Sequence, residues 1–380
     1  MLAPMPPVAR RVLEVFAPPD GGVAEHAVRL TEGIRGHGWN PEVAAPAGSE
    51  FVPRLRELGV TVHELAFRRA PGPWDARAIA ELRRIDAGGR FDVVHAHSSK
   101  AGALVRAGIA RARWRTVYTP HCFSFVGGFG AAGRAGYRLV ERMLVPRTGM
   151  IVAACEWERD VALSQVAAPA DRVRVVYLGV PETPAAEPDE RVAEFAAGRL
   201  VAGMVSVLRP QKDPLTLVRA AALLRDRGRD DVCVALVGSG ELADAVTAEI
   251  GRLGVGDSMR LFGFRGEVAS ALRSFDLFVL PSLWEALPIS IMEAMSCSLP
   301  VVATHVNGVP EAVLDGETGT LVEPGAPDAV ATAIERLLGD EEVRRRFGAA
   351  GRSHYEARFR VEPMLATHAA IYDGIAQAAG

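Results

Sequence analysis

Short runs rich in valine, isoleucine and leucine alternate along this chain with longer Ala/Leu/Arg stretches of helical period, and the alternation occurs twice. Strands of that kind separated by helices can pair side by side only as a parallel sheet, buried on both faces by its own crossovers. In the first half the predicted strands are Val8 to Ala17, Glu42 to Ala45, Thr61 to Ala66, Asp92 to His97, Thr116 to Pro120, Met150 to Ala154 and Arg174 to Leu178, with helices such as Val23 to Arg35 and Trp74 to Asp86 between them. In the second half they are Val201 to Leu208, Val232 to Val237, Met259 to Phe262, Leu277 to Pro281 and Val301 to Thr304. Between the halves, Gly179 to Pro188 carries three prolines in ten residues, the composition of a semi-rigid linker. A chain of 380 residues also exceeds what one core organises. The expectation is two α/β domains, residues 1–180 and 181–360, with a helical tail over 361–380 that crosses back to the first.

At 49% hydrophobic and 23% charged residues the chain lies outside the disordered class. A net charge of -3 excludes a protein that is basic overall, and so argues against nucleic acid as a partner. The four cysteines, Cys122, Cys155, Cys233 and Cys297, lie far apart with no CxxC pair, which suits reduced thiols and no zinc knuckle. The Met1-Leu-Ala-Pro-Met-Pro-Pro start lacks the pattern of a signal peptide, and no run of 18 apolar residues occurs. A cytoplasmic protein is expected, with room for peripheral contact at the inner face of the cell membrane.

Several segments carry chemistry. Gly21 and Gly22 stand between the first strand and a helix, where backbone amides can approach a phosphate at the positive helix end. Taken alone the pair fits an ordinary strand-to-helix turn, since no GxGxxG is present. Arg209 and Lys212 follow the first strand of the second half, on the sheet edge where α/β ligands bind, and two cations there can neutralise a pyrophosphate. Gly238 begins a second glycine turn on the same edge. In Pro281-Ser-Leu-Trp-Glu-Ala-Leu-Pro-Ile-Ser-Ile-Met-Glu-Ala-Met295, Glu285 is expected in a loop, Pro288 in the first turn of a helix and Glu293 on that helix. The backbone around Ala286, Leu287, Pro288 and Ile289 would then serve sugar hydroxyls beside Glu285, while Glu293 holds a ribose diol.

His121 ends a predicted strand in a Thr-Pro-His turn, which favours a functional role over a packed one. His95 and His97 alternate along one strand at a spacing that suits a metal, but the sequence offers no evident third ligand, so they read as structural or near the substrate. From Lys100 to Arg147 nine basic residues stand against Glu141 alone, a local charge of 9 - 1 = +8. Within that stretch Phe123, Phe125 and Phe129 lie on a glycine-rich loop, and Arg134, Arg138 and Arg142 follow at a spacing of four. Two readings stand here. Lys100, Phe123 and Phe125 meet an acceptor and the stretch docks on an anionic membrane leaflet, or the phenylalanines pack inside and the arginines pair with scattered carboxylates.

Taken in order, these motifs resemble the retaining glycosyltransferases of family 4 with the GT-B fold, whose mark is Glu-x7-Glu in the second domain. The resemblance runs over nearly the whole chain: Gly21-Gly22, Phe91-Asp-Val-Val-His-Ala-His-Ser-Ser-Lys-Ala-Gly102, Tyr118-Thr-Pro-His-Cys-Phe-Ser-Phe125, Arg209 with Lys212, Gly238-Ser-Gly240, Phe262-Gly-Phe264, Glu285 to Glu293 and Asn307-Gly-Val-Pro-Glu311. It implies two Rossmann-like domains facing a cleft. It further implies that Gly21 and Gly22 face the donor diphosphate, that Arg209 and Lys212 hold its pyrophosphate, and that Glu293 binds the ribose. By the same resemblance Glu285 contacts the donor sugar, His121 is the histidine beside the transferring sugar, and the backbone at Phe264 and Arg265 binds the base. Cys122 and Ala286 depart from the family, which often has glycine at both places.

The implied reaction moves a hexose or N-acetylhexosamine from a nucleotide diphosphate, uridine diphosphate being the commonest, to a hydroxyl acceptor such as a lipid-linked saccharide. It retains the anomeric configuration. No Asp-x-Asp pair of the kind that metal-dependent transferases use is present, so the cations and amides named above are the expected stabilisers; no metal and no cofactor are expected. Glycosylation of a small natural product, a nucleotide-sugar epimerase on the same architecture, and a lobe pair that only binds the nucleotide sugar are the alternatives.

Overall fold

The computed structural model of the chain describes residues 10–68, 70–109, 114–264 and 268–378. It divides into two compact units, residues 1–179 with 361–380, and residues 180–360. The first unit holds seven parallel strands: β1 (Arg10–Phe16), β2 (Trp39–Pro46), β3 (Thr61–Leu65), β4 (Val93–His97), β5 (Thr116–Thr119), β6 (Met150–Ala153) and β7 (Val173–Val175), in the order β3-β2-β1-β4-β5-β6-β7. The second holds β8 (Leu200–Val205), β9 (Val232–Val237), β10 (Met259–Leu261), β11 (Leu277–Leu280), β12 (Val301–Thr304) and β13 (Gly319–Val322), in the order β10-β9-β8-β11-β12-β13, again parallel. β13 is not among the expected strands, because Gly319-Thr320 leaves only Leu321 and Val322 as an apolar signal.

In both sheets the strand order reverses beside the first strand, between β1 and β4 and between β8 and β11. Connections leave in opposite directions there and open a crevice at the carboxyl ends of the strands. The loops after those four strands are therefore where each unit can hold a ligand, and most of the residues singled out above lie on them.

The strands form because their residues bury on both faces. Leu13 and Val15 point to one side with Val94, Ala96 and Leu104, while Val12 points to the other with Val93, Val117 and Leu30. That second side is closed by helix Val361–Gln377, whose Met364, Leu365, Ala369 and Tyr372 join the same cluster. The C-terminal helix thus belongs to the first unit. Leu365 fits there because Gly33 has no side chain; a Cβ on Gly33 would overlap it. Trp39 donates from Nε1 to Asp373 at 3.1 Å, and its ring meets Tyr372 edge-on.

Residues 181–189 form neither helix nor strand, as three prolines in ten residues dictate, and Val180 bridges to Arg360 within the second unit. Among the described residues no helix is long and apolar enough to cross a membrane.

Candidate functional site

At the β8/β11 crevice the residues come together as a charged, hydrogen-bonded group. The chain leaves β8 through Arg209, makes a single turn over Pro210–Lys212, and enters helix Pro214–Asp226 with Asp213 in the left-handed region at φ 44°. This turn aims Lys212 at the loop after β11, where its ammonium pairs with Glu285. Glu285 is 5% exposed, a costly place for a lone carboxylate, and it is fully engaged. Ser282 Oγ donates to it at 2.8 Å, Gln211 Nε2 at 3.3 Å, and its own backbone N–H donates to Asn307 Oδ1 at 3.2 Å. Gln211 also donates to the Trp284 carbonyl at 2.9 Å. Gln211 and Asn307 are the partners that sequence reasoning did not weigh, although both lie inside motifs quoted for the resemblance or next to them.

Arg209 is half-buried at the head of the same turn. Beside it, Gly238 and Gly240 have φ of 151°, and a Cβ on either would strike the Ser206 or Leu208 backbone, so only glycine lets these two loops close on each other. Pro288 is the N-cap of helix Ile289–Ser296, one residue before the expected place, with Ala286 and Leu287 buried and Ile289 half-buried. Glu293 is half-buried on that helix. Phe264 is 52% exposed, large for an aromatic ring. Arg265 lies outside the described residues.

The first unit's crevice is built from imidazoles. Helix Gly21–Ile34 starts at the glycine pair itself, with Gly21 at φ 76°, and its second turn buries His26. Register places Glu14 opposite His95 and Phe16 opposite His97 on β1 and β4. In a parallel pair those side chains share a face, the one covered by the C-terminal helix. His97 bonds through Nε2 to Glu14 Oε2 at 2.9 Å and through Nδ1 to His121 Nε2 at 3.2 Å. His95 bonds to the Tyr372 hydroxyl at 2.5 Å and to Thr119 Oγ1 at 2.8 Å, and Tyr372 donates to Glu14 Oε1 at 2.9 Å. The third metal-ligand candidate that the sequence did not reveal is thus present: His97 lies with Glu14 and His95 on one side, and with His26 and His121 on the other.

Burial decides the protonation of this group. It pushes the Glu14 carboxyl up to about 8, opposed by the Tyr372 hydroxyl and by His368. It lowers His97 to about 3 and His368 to about 4, and holds His26, His95 and His121 well below the usual histidine range, with neighbouring imidazoles adding to the effect on these three. The crevice is electrically quiet.

His121 and Cys122 sit at φ 51° and 76°, two consecutive non-glycine residues in the left-handed region. Buried Glu158 holds that turn, accepting the Cys122 N–H at 2.6 Å and the Ala154 N–H at 2.8 Å. A departure from the family's glycine at 122 is therefore a strained one, whereas Ala286 is not among the residues of positive φ.

Three acceptor-side expectations change. Lys100 is half-buried and its ammonium is engaged, donating to both Asp75 oxygens at 2.6 Å. Phe123 and Phe125 are 1% and 2% exposed, stacked on each other at 5.2 Å in a core with Tyr118, Ile151 and Val161. The turn over Phe123 to Val126 folds both rings inward, so neither is free to meet an acceptor or a lipid. Part of the basic stretch is also neutralised inside: Arg106 pairs with Glu141 at 2.8 Å and lies on the Tyr118 ring, and Arg115 pairs with Asp86 at 2.6 Å. Arg111 and Arg113 lie outside the described residues.

Two parallel α/β units of this kind are shared with solved glycosyltransferases of the GT-B fold. An Anabaena protein, HepE, solved with UDP and glucose, superposes with a TM-score of 0.79 at 20% identity, over 95% of this chain and 99% of that one. The family profile described as glycosyl transferase 4-like domain matches residues 21–179, and the one described as glycosyl transferases group 1 matches residues 186–354. A D-inositol 3-phosphate glycosyltransferase of Frankia alni is 32% identical over 370 residues, 88% of this chain and 90% of the relative. An Escherichia coli UDP-Gal:alpha-D-GlcNAc-diphosphoundecaprenol alpha-1,3-galactosyltransferase is 26% identical over 276 residues, 70% of this chain and 71% of the relative. The chain is a glycosyltransferase and belongs to family 4.

Proposed function

We propose that the protein transfers a sugar from a nucleotide diphosphate, UDP-hexose or UDP-N-acetylhexosamine, to a hydroxyl acceptor with retention of configuration. The observation that carries this is the Lys212–Glu285 pair at the β8/β11 crevice, with Arg209 at the head of the Lys212 turn and Glu293 on the helix that follows Glu285. Lys212 and Arg209 take the donor diphosphate, Glu285 with the backbone at Ala286 to Ile289 takes sugar hydroxyls, Glu293 takes the ribose, and exposed Phe264 offers a face to the base. As the bond from the sugar to the diphosphate breaks, negative charge grows on the leaving oxygen and the two cations stabilise it without a metal. The acceptor oxygen bonds to the anomeric carbon from the same face, and its proton passes to the departing diphosphate. His121, on the first unit, serves the reacting sugar. The UDP bound by HepE and the UDP-sugar named for the E. coli relative support the choice of donor.

Incubation with a panel of UDP-, GDP- and ADP-sugars, with and without acceptor extracts, tests this. Acceptor-dependent nucleotide release with a retained anomer by proton NMR is expected, and chelator leaves it intact. An inverted anomer, isomerised sugar without acceptor, or binding without turnover would each overturn it.

A lipid-linked acceptor is favoured by the helix Ala131–Leu144. Its Leu139, Val140 and Met143 are 58%, 45% and 67% exposed, near exposed Phe129 and beside Arg134, Arg142 and Arg147. Apolar ridges flanked by arginines suit an anionic leaflet, each basic residue adding roughly 1 kcal/mol near the surface. Co-sedimentation with anionic vesicles at low salt, lost for neutral vesicles and for the Leu139→Glu/Met143→Glu variant, is the expected result. Equal sedimentation with both lipids would leave this helix without a membrane role.

A further inference from the structure

We propose that His26, His97 and His121 form a three-histidine site for one transition-metal ion, Zn2+ foremost, whose binding takes His121 out of use and so inhibits the enzyme. One ring nitrogen from each lies within 4.8 Å of the others, and the His97 Nδ1 to His121 Nε2 separation is 3.2 Å. Two nitrogens bound at about 2.0–2.1 Å around a tetrahedral zinc stand about 3.3 Å apart, so this pair is already at ligand spacing.

His26 supplies an independent pointer. It is fully buried, and neither of its ring nitrogens has a hydrogen-bond partner. A neutral imidazole carries one donor and one acceptor, and leaving both unmet inside a protein is a cost that needs a reason. Its ring is held with centroids 4.9 Å from His121 and 5.5 Å from His97. The other candidate set, Glu14 with His95 and His97, lacks that property: both nitrogens of His95 and both oxygens of Glu14 already have partners.

The surroundings fit the ion. Glu14 stands behind His97 at Nε2, a second partner that fixes the ring and leaves Nδ1 facing His121. An all-imidazole donor set selects zinc, copper, nickel or cobalt over magnesium and calcium, which want oxygen. His121 is half-buried, so an ion has an approach and a fourth ligand has a place.

The test uses the full chain, stripped with chelator and titrated with Co2+ and then Zn2+. One equivalent of Co2+ should give the intense visible absorption of a low-coordinate site, and one equivalent of Zn2+ should abolish it. His26→Leu removes both unmet nitrogens without asking the core to accept a new polar group, and should weaken Zn2+ binding by about 100-fold or more. Glu14→Gln keeps the three ligands and should weaken it about 10-fold. His368→Leu, which alters a neighbouring imidazole outside the set, should bind as before. If His26→Leu fails to fold, His121→Asn on the half-buried turn carries the same expectation. Absence of the Co2+ band, or affinity unchanged in His26→Leu, would overturn the site. The inhibition rests on the role proposed for His121: stoichiometric Zn2+ should stop sugar transfer in the wild type and spare His26→Leu. Binding without inhibition would overturn that part while leaving the metal site standing.

Discussion

At the β8/β11 crevice an ammonium meets a carboxylate, the Lys212 and Glu285 side chains 19% and 7% exposed, and the carboxylate also accepts from Ser282 and Gln211. At the β1/β4 crevice the polar side chains are imidazoles and a carboxyl, fully buried apart from His121, and burial strips them of charge. The same topological feature thus carries two electrostatic solutions. The second unit keeps a formal charge pair, its carboxylate buried but fully hydrogen-bonded and its ammonium partly at the surface, whereas the first unit seals groups that carry no charge.

The first unit does bury one formal pair, Arg106 with Glu141, and it is the strongest way to break the comparison. Arg106 is 1% exposed, donates from Nε to the Gly102 carbonyl at 2.8 Å, and is faced by Tyr118, which also donates to Glu141 at 2.9 Å. Arg106→Ala leaves a buried carboxylate without its counter-ion, and should cost about 3–5 kcal/mol in stability by chemical denaturation. A loss below 1 kcal/mol would mean that the first unit tolerates buried charge and that neutrality at its crevice has another origin.

In the second unit the expected effect falls on function. Lys212→Ala and Arg209→Ala should each weaken nucleotide affinity in calorimetry by roughly 1.5–3 kcal/mol, a charge-assisted contact apiece. Glu285→Gln should lower kcat and Glu293→Gln should raise the donor KM, since one is assigned to the reacting sugar and the other to the ribose. Normal turnover by Glu285→Gln would remove the sugar role and leave the Lys212 pair purely structural.

Strands and crevice loops were legible from sequence because valine-rich runs and glycine turns are local signals. What was not legible depends on register. Glu14 interrupts Val12-Leu13-Glu14-Val15-Phe16, and a lone acid in an apolar strand is a signal, but only the pairing with β4 shows that it meets His95 and His97. His26 lies four residues after Gly22 on a helix, and nothing nearby in sequence announces that His97 and His121 await it. Phe123 and Phe125 were read from loop composition, whereas the distant Tyr118, Ile151 and Val161 that their turn packs against are what bury them. Lys100 was read without Asp75, 25 residues earlier. Short-range pattern finds the loops; long-range pairing decides which of their side chains remain available.

Glu158 sharpens the comparison from the first unit's side. Its two oxygens both accept backbone N–H groups, from Cys122 and Ala154, and a glutamine offers only one acceptor oxygen there while its amide NH2 opposes the other N–H. Glu158→Gln should cost about 1–3 kcal/mol and lower kcat through displaced His121, with donor affinity by calorimetry unchanged. Loss of donor affinity instead would show that the turn acts on nucleotide binding and is not a support for His121.

The smallest effect belongs to Cys122→Gly. A non-glycine residue at φ 76° carries about 1–2 kcal/mol of left-handed strain, which glycine relieves. Against that, glycine loses about 0.5–1 kcal/mol more backbone entropy on folding and gives up the packing of a half-buried side chain. The N–H that donates to Glu158 survives the change, so the turn keeps its anchor. The opposing contributions nearly cancel, and thermal unfolding should show a net change within about 1 kcal/mol. Activity on the native acceptor is the more telling readout, because the removed side chain stands one residue from His121. A gain or loss of rate at unchanged stability would show that this position tunes the site, whereas an unfolding change well above 1 kcal/mol would show that the thiol packs more tightly than its exposure implies.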